Sequence, residues 1–288
     1  GCSKRLGSNT RECIRTSFDS AALVIVRLVE GSGSMANKVR DRLVSIDAGD
    51  YRLRGRLVME CAAASQPAVL FLAGWSPRVP FFVANHFAPK LDPELKVARL
   101  FVSLRGMGSK GDIRSLTRSD FLDDVVAAYD FLASVEGVDL ARLFIVGESF
   151  GAYMACLLIA KRPVLGVALR APTDFPDQGF VDTPQTQIAG NASRAWKVLP
   201  HAPEESRALS AFSAYTGRKL VVAAEMDEFV PMQTTRNYLQ AGANNMPVEF
   251  HLMQGASHSL LKSRHRLEYL QVLTRWLRAG IDGYPDSH

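Results

Sequence analysis

Gly147-Glu148-Ser149-Phe150-Gly151 closes an apolar run that begins at Leu143 and opens into a helical pattern. A strand that turns at once into a helix holds the residue at the corner in strained backbone space and crowds its neighbours, which is why glycines at 147 and 151 suit the turn. Ser149 is thereby lifted out of the fold as a nucleophile. It stands at a helix N-terminus, where the Phe150 amide faces an oxyanion formed by attack on a carbonyl. Such a hydroxyl needs a base, and the base needs an orienting acid. The strand-like run Lys219 to Ala224 is followed by Glu225-Met226-Asp227-Glu228-Phe229-Val230-Pro231, and the run Val248 to Met253 by Gln254-Gly255-Ala256-Ser257-His258-Ser259. Ser149, Asp227 and His258 thus occur in order, each just past the carboxyl end of a strand. The spacing of 31 positions between 227 and 258 leaves room for one helix and one strand. Glu225 and Glu228 are rival acids, and a solvated acidic loop is the plain alternative.

The elements that must position these residues follow from periodicity. Leu43 to Ile46 and Tyr51 to Glu60, joined through Asp47-Ala48-Gly49-Asp50, read as an antiparallel hairpin at a sheet edge. Ala68 to Leu72, Val97 to Leu104 and Val164 to Arg170 read as buried parallel strands. Phe81 to Leu91 reads as a crossover helix, and Phe121 to Val135 as a helix burying Phe121, Val125, Ala128 and Leu132. Ala152 to Ala160, Thr234 to Ala243 and Leu260 to Leu277 are further helices. The alternation predicts an α/β class with a doubly wound, mostly parallel sheet of about eight strands. Arg105-Gly-Met-Gly-Ser-Lys-Gly111 satisfies the dinucleotide fingerprint Gly-x-Gly-x-x-Gly. The next helix starts too late, near Ser119, to meet a pyrophosphate, so a structural turn is expected. His251 falls inside a strand pattern; His86, His201 and His265 have no supporting motif and default to the surface.

Residues 171–218 break the rhythm with Pro172, Pro176, Pro184, Pro200 and Pro203 and are too long for a plain connection, which predicts a small cap insertion over the site. Its aromatics Phe175, Phe180 and Trp196 are substrate-pocket candidates; packing of the insertion onto the sheet is the equal alternative. Residues 1–34, rich in Ser, Arg and Gly, are expected to be a disordered or non-native leader before a single folded domain at 35–288. Their apolar run, Ala21 to Val29, is too short to span a bilayer. The net charge of +5 comes from 34 basic residues scattered among 29 acidic ones, which predicts neither nucleic-acid nor membrane binding. The four cysteines have no ligand spacing, so a reducing cytoplasmic setting, no structural metal and no cofactor are expected. Oligomeric state is not legible.

From Val44 to Gly280 the chain resembles the α/β-hydrolase superfamily, and within it the small-cap esterase, dienelactone-hydrolase-like and serine-aminopeptidase-like group. The resemblance rests on the elbow, on Ala73-Gly74-Trp75 and Arg105-Gly106-Met107-Gly108, on the Asp-x-x-Val-Pro segment at 227–231 and on Gly-x-x-His at 255–258. It implies Ser149 as nucleophile, His258 as general base, Asp227 as its orienting acid, and the amides of Trp75 and Phe150 as oxyanion hole. The implied activity is hydrolysis of an ester or related acyl bond of a small substrate through an acyl-enzyme. Aminopeptidase, amidase or thioesterase action on the same three residues is one alternative, and a non-catalytic ligand-binding protein another. Ala73 stands where the group usually has histidine, and Glu148 brings a charge beside the nucleophile.

Overall fold

The computed structural model describes residues 26–27, 39–60, 65–75, 91, 93–107, 113–188 and 191–283. The strands are β1 (Val26–Arg27), β2 (Val39–Asp47), β3 (Arg52–Glu60), β4 (Gln66–Leu72), β5 (Ala98–Ser103), β6 (Val138–Glu148), β7 (Gly166–Arg170), β8 (Arg218–Met226) and β9 (Val248–Ser257). They form one sheet in the order β1-β2-β3-β5-β4-β6-β7-β8-β9. The β1–β2, β2–β3 and β3–β5 pairs are antiparallel and the other five pairs are parallel. The sheet reverses its winding around β4, and the ninth strand beyond the expected eight is the two-residue β1, drawn from the leader. The rest of residues 1–34, with Cys2 and Cys13, lies outside the described residues, as do Cys61, His86 and all of the expected crossover helix but Leu91.

Each central strand is buried on both faces because alternate side chains enter opposite cores. Leu70, Leu72, Leu143, Ile145, Val167, Leu169 and Val221 join one apolar cluster. Val69, Phe71, Phe144, Val146, Ala168, Leu220 and Val222 join the other. The first cluster is closed by α1 (Arg118–Ala133), α2 (Phe150–Ile159), α5 (Arg207–Ala214) and α6 (Met232–Gly242); the second is closed by α7 (Ser263–Asp282). Phe121, Val125, Ala128 and Leu132 are all buried, as their spacing predicts. The first helix starts three residues before Phe121. Thr117 caps it by accepting from the Asp120 amide, and Asp120 accepts from the Thr117 amide at 2.7 Å, a reciprocal pair that satisfies otherwise orphaned donors.

Residues 171–218 fold as short helices, α3 (Gln185–Ile188), α4 (Asn191–Lys197) and α5, which packs against α2 and α6. Arg118 fastens this segment to α1, its guanidinium donating to the carbonyls of Pro176 and Gln178. Two histidines expected at the surface are buried instead. His201 stacks on Trp196 and meets the Trp196 carbonyl at 2.9 Å, and His265 sits at 2% exposure on α7. Among the described residues no helix is long and apolar enough to cross a membrane.

The loop after β5 is held by one carboxylate. Asp124, fully buried, accepts from the Arg105 amide at 2.7 Å and from Arg105 Nε at 2.8 Å. Burial pushes its carboxyl up to about 6 against the opposing pull of Arg105. Gly106 sits at φ 72°, and α1 begins only at Arg118. Asp124→Ala leaves the Arg105 guanidinium buried with exposed Asp50 as its one remaining charged partner among the described residues, and is expected to cost about 3–5 kcal/mol in urea unfolding. A loss under ~1 kcal/mol would show that the loop does not depend on this pair.

Candidate active site

The elbow has the geometry its sequence demands. Ser149 caps α2 at φ 53°, ψ −112°, a left-handed strain that an L-residue holds only where the surroundings impose it. The surroundings are backbone. A Cβ on Gly147 would come within 2.5 Å of the Gly151 carbonyl oxygen and 2.6 Å of Ala152 Cα, and one on Gly151 would run into the Leu72 carbonyl. The Ser149 amide donates to the Arg170 carbonyl at 2.8 Å, anchoring the corner to the end of β7. The first amides of α2 have no partner within the helix and lie at its positive end, a setting suited to developing negative charge.

The chain after β4 runs against this corner. A Cβ placed on Gly74 would be 3.2 Å from Ser149 Cβ and 3.9 Å from its Oγ. Trp75 turns its ring into the core, edge-on to Phe150 at 5.2 Å and Phe121 at 5.6 Å between ring centres. Packing of the ring fixes the main chain whose amide is the second expected oxyanion donor.

The three acids at the end of β8 divide the work of holding the chain around His258. Asp227 accepts from His258 Nδ1, with Oδ2 at 2.7 Å and Oδ1 at 2.9 Å. Its Oδ1 also accepts from the amides of Phe229 at 2.9 Å and Val230 at 2.7 Å, so the carboxylate is oriented before it meets the ring. Glu228 accepts from the His258 amide at 3.1 Å and Glu225 from the Gly255 amide at 2.7 Å. The rivals of Asp227 therefore grip the backbone of that chain while Asp227 grips the imidazole. Gly255, at φ 62° near the end of β9, takes a left-handed conformation there. The Phe229 ring stands edge-on to His258 at 5.3 Å.

The hydrogen bonds of the described residues join Asp227 to His258 but include none from the Ser149 hydroxyl to His258. In unliganded enzymes such bonds are commonly loose and tighten when substrate is bound.

Glu148 does not present its charge to a ligand. It is 8% exposed and pairs with Arg170 Nη2 at 2.9 Å. Arg170 is a residue of the site that sequence periodicity passes over, and its one signal is a charge ending an otherwise apolar strand. Of the pocket candidates, Phe175 and Phe180 are 3% and 5% exposed and belong to the first core cluster. Phe175 packs edge-on to Tyr153 and Phe150, and Phe180 lies between the guanidinium groups of Arg118 and Arg207. Both pack this segment onto α1 and α2. Trp196 is partly exposed and donates from Nε1 to Asp174 at 2.9 Å. Beside it, Lys197 lies 5.0 Å from the Phe175 ring centre; burial lowers its ammonium to about 8 despite the negative fields of Asp174 and Asp227.

Comparison with known proteins agrees with this architecture. A model of the prolyl oligopeptidase family matches residues 100–283. An uncharacterized protein of Mycobacterium tuberculosis is 28% identical over 251 residues, 84% of this chain and 82% of that one. Among solved structures, Pyrococcus horikoshii acylaminoacyl peptidase superposes with a TM-score of 0.64 at 15% identity, covering 87% of this chain. The match spans 43% of that peptidase, so this chain corresponds to less than half of its length. Est1E from Butyrivibrio proteoclasticus gives 0.63 at 15% identity, over 83% of this chain and 99% of that one. Dienelactone hydrolase from Anabaena variabilis gives 0.59 at 18%, over 83% and 97%. The fold is that of the α/β-hydrolases.

Proposed function

The chain belongs to the prolyl oligopeptidase family and is a serine hydrolase, and on that premise we propose that it cleaves a carboxylic ester or related acyl bond of a small substrate, with Ser149, His258 and Asp227 as its catalytic residues. The observation that carries this reading is the bond from His258 Nδ1 to the doubly oriented carboxylate of Asp227, because it fixes the tautomer whose Nε2 is free to take a proton. Ser149 Oγ attacks the acyl carbon as its proton passes to His258 Nε2. The amides of Phe150 and Trp75 receive the oxyanion. Collapse expels the alcohol, which leaves with the proton from His258. Water then repeats the sequence on the acyl-enzyme and releases the acid and the free hydroxyl. Asp227 stays ionised throughout and stabilises the imidazolium.

Peptidase action on the same residues is the second reading, favoured by the family match and by the likeness to acylaminoacyl peptidase. A series of p-nitrophenyl acyl esters of rising chain length, run beside aminoacyl anilides, separates the two. The esters are expected to turn over and the anilides to lag. Turnover of anilides alone would replace the ester reading with the peptidase one. A folded protein that cleaves neither and takes no fluorophosphonate label would be a hydrolase-fold binding protein.

A further inference from the structure

Arg170 touches both halves of the site at once. Its carbonyl accepts from the Ser149 amide at 2.8 Å, and its Nη1 donates to the His258 carbonyl at 2.7 Å, across 88 positions of sequence. Its Nη2 is committed to Glu148, the residue immediately before the nucleophile. The guanidinium lies over the ring of Tyr269 on α7, 5.6 Å from its centre, and the residue is 6% exposed. The backbone leaves Arg170 through Ala171 at φ 45°, whose amide donates to the Val222 carbonyl at 2.8 Å, so the chain on both sides of the arginine is pinned.

This arrangement is costly for a structural ion pair. Two charges have been withdrawn from water at the carboxyl ends of β6 and β7, where neighbouring positions are apolar, and well-packed apolar side chains in such places are commonly as stable or more so. What the charges supply is direction. A planar guanidinium with two nitrogens already engaged has one orientation, and in that orientation it fixes the carbonyl of His258. Asp227 sets the ring through Nδ1 and Arg170 sets the main chain that carries it, so His258 is held at both ends.

The geometry points to Arg170 as a positioning residue, oriented by Glu148, that holds the main chain of His258 in fixed register with the Ser149 elbow. This rests on the catalytic reading of Ser149 and His258. The charge of Glu148 is used within the protein, and its effect on the reaction runs through Arg170 and then His258 rather than through the substrate. Because the contact is to the main chain of His258, its loss is expected to misplace the base. Displacements of about 1 Å at a reacting group are worth about 100-fold in rate.

The test compares wild type with Glu148→Gln/Arg170→Met, which removes both charges and leaves neither buried alone, and with Arg170→Lys, which keeps the charge but not the fork. The single Arg170→Met variant strands the Glu148 carboxylate and is not relied upon. With a p-nitrophenyl ester the double variant is expected to melt near or above wild type, to lose about 100-fold in kcat with KM changed less than about 3-fold, and to label with a fluorophosphonate more slowly by a similar factor. Arg170→Lys should restore part of the loss. A folded double variant with wild-type kcat and labelling rate would overturn the assignment and leave a structural ion pair. A loss that appears in KM alone would overturn it too, because it would place the pair in substrate binding. If wild type itself neither turns over nor labels, the catalytic reading fails first, and the inference falls with it.

Discussion

Ser149→Ala should abolish turnover, lowering kcat by at least about 10,000-fold, with KM and melting temperature near wild type. The size follows from the role: no other group can form the acyl-enzyme, and what remains is the help of oxyanion donors and binding to a direct attack by water. The fold should be indifferent, because the Ser149 contacts that anchor the corner are main-chain ones, its amide to Arg170 and its carbonyl to the amides of Ala152 and Tyr153. Residual activity above about one hundredth of wild type would mean that another nucleophile acts.

Asp227→Asn is the second large effect, expected near 10,000-fold in kcat at neutral pH. The carboxylate accepts from His258 Nδ1 with both oxygens and also receives two backbone amides. An amide side chain in the same place would have to offer its oxygen either to the two amides or to the ring. Where it turns its NH2 to the imidazole, the ring must present a lone pair at Nδ1 and so carries its proton on Nε2, the tautomer that cannot accept from serine. The measurement is kcat over pH 6 to 10. A deficit of less than about tenfold would transfer the orienting role to Glu225 or Glu228. Both are otherwise engaged with the amides of Gly255 and His258, so such a result would require the chain around His258 to rearrange.

The elbow was legible in sequence because its constraint is local: two glycines and a serine at a strand–helix junction. The doubly buried strands were legible for the same reason, each being a short apolar run. The choice among Glu225, Asp227 and Glu228 was harder, since all three end the same strand and differ only in the turn that follows. In the structure Asp227 receives the amides of Phe229 and Val230, and that turn swings its short carboxylate toward the ring. Long-range polar contacts were not legible. Nothing near Arg170 names His258 as its partner, and nothing near His265 foretells burial. The same holds for Phe175 and Phe180, whose aromatic character suits a pocket as well as a core. Which of the two they serve depends on where α1 and α2 lie beneath the insertion.

The most direct test of the central claim is where a fluorophosphonate lands on the wild-type protein. Tryptic cleavage after Arg142 and Lys161 yields a peptide spanning residues 143–161 in which Ser149 is the one serine. The account predicts a single phosphonyl adduct on that peptide, on Ser149, blocked by prior heat denaturation and matched by loss of all ester turnover. An adduct on any other residue, or a folded protein that turns over ester while residue 149 stays unmodified, would contradict it.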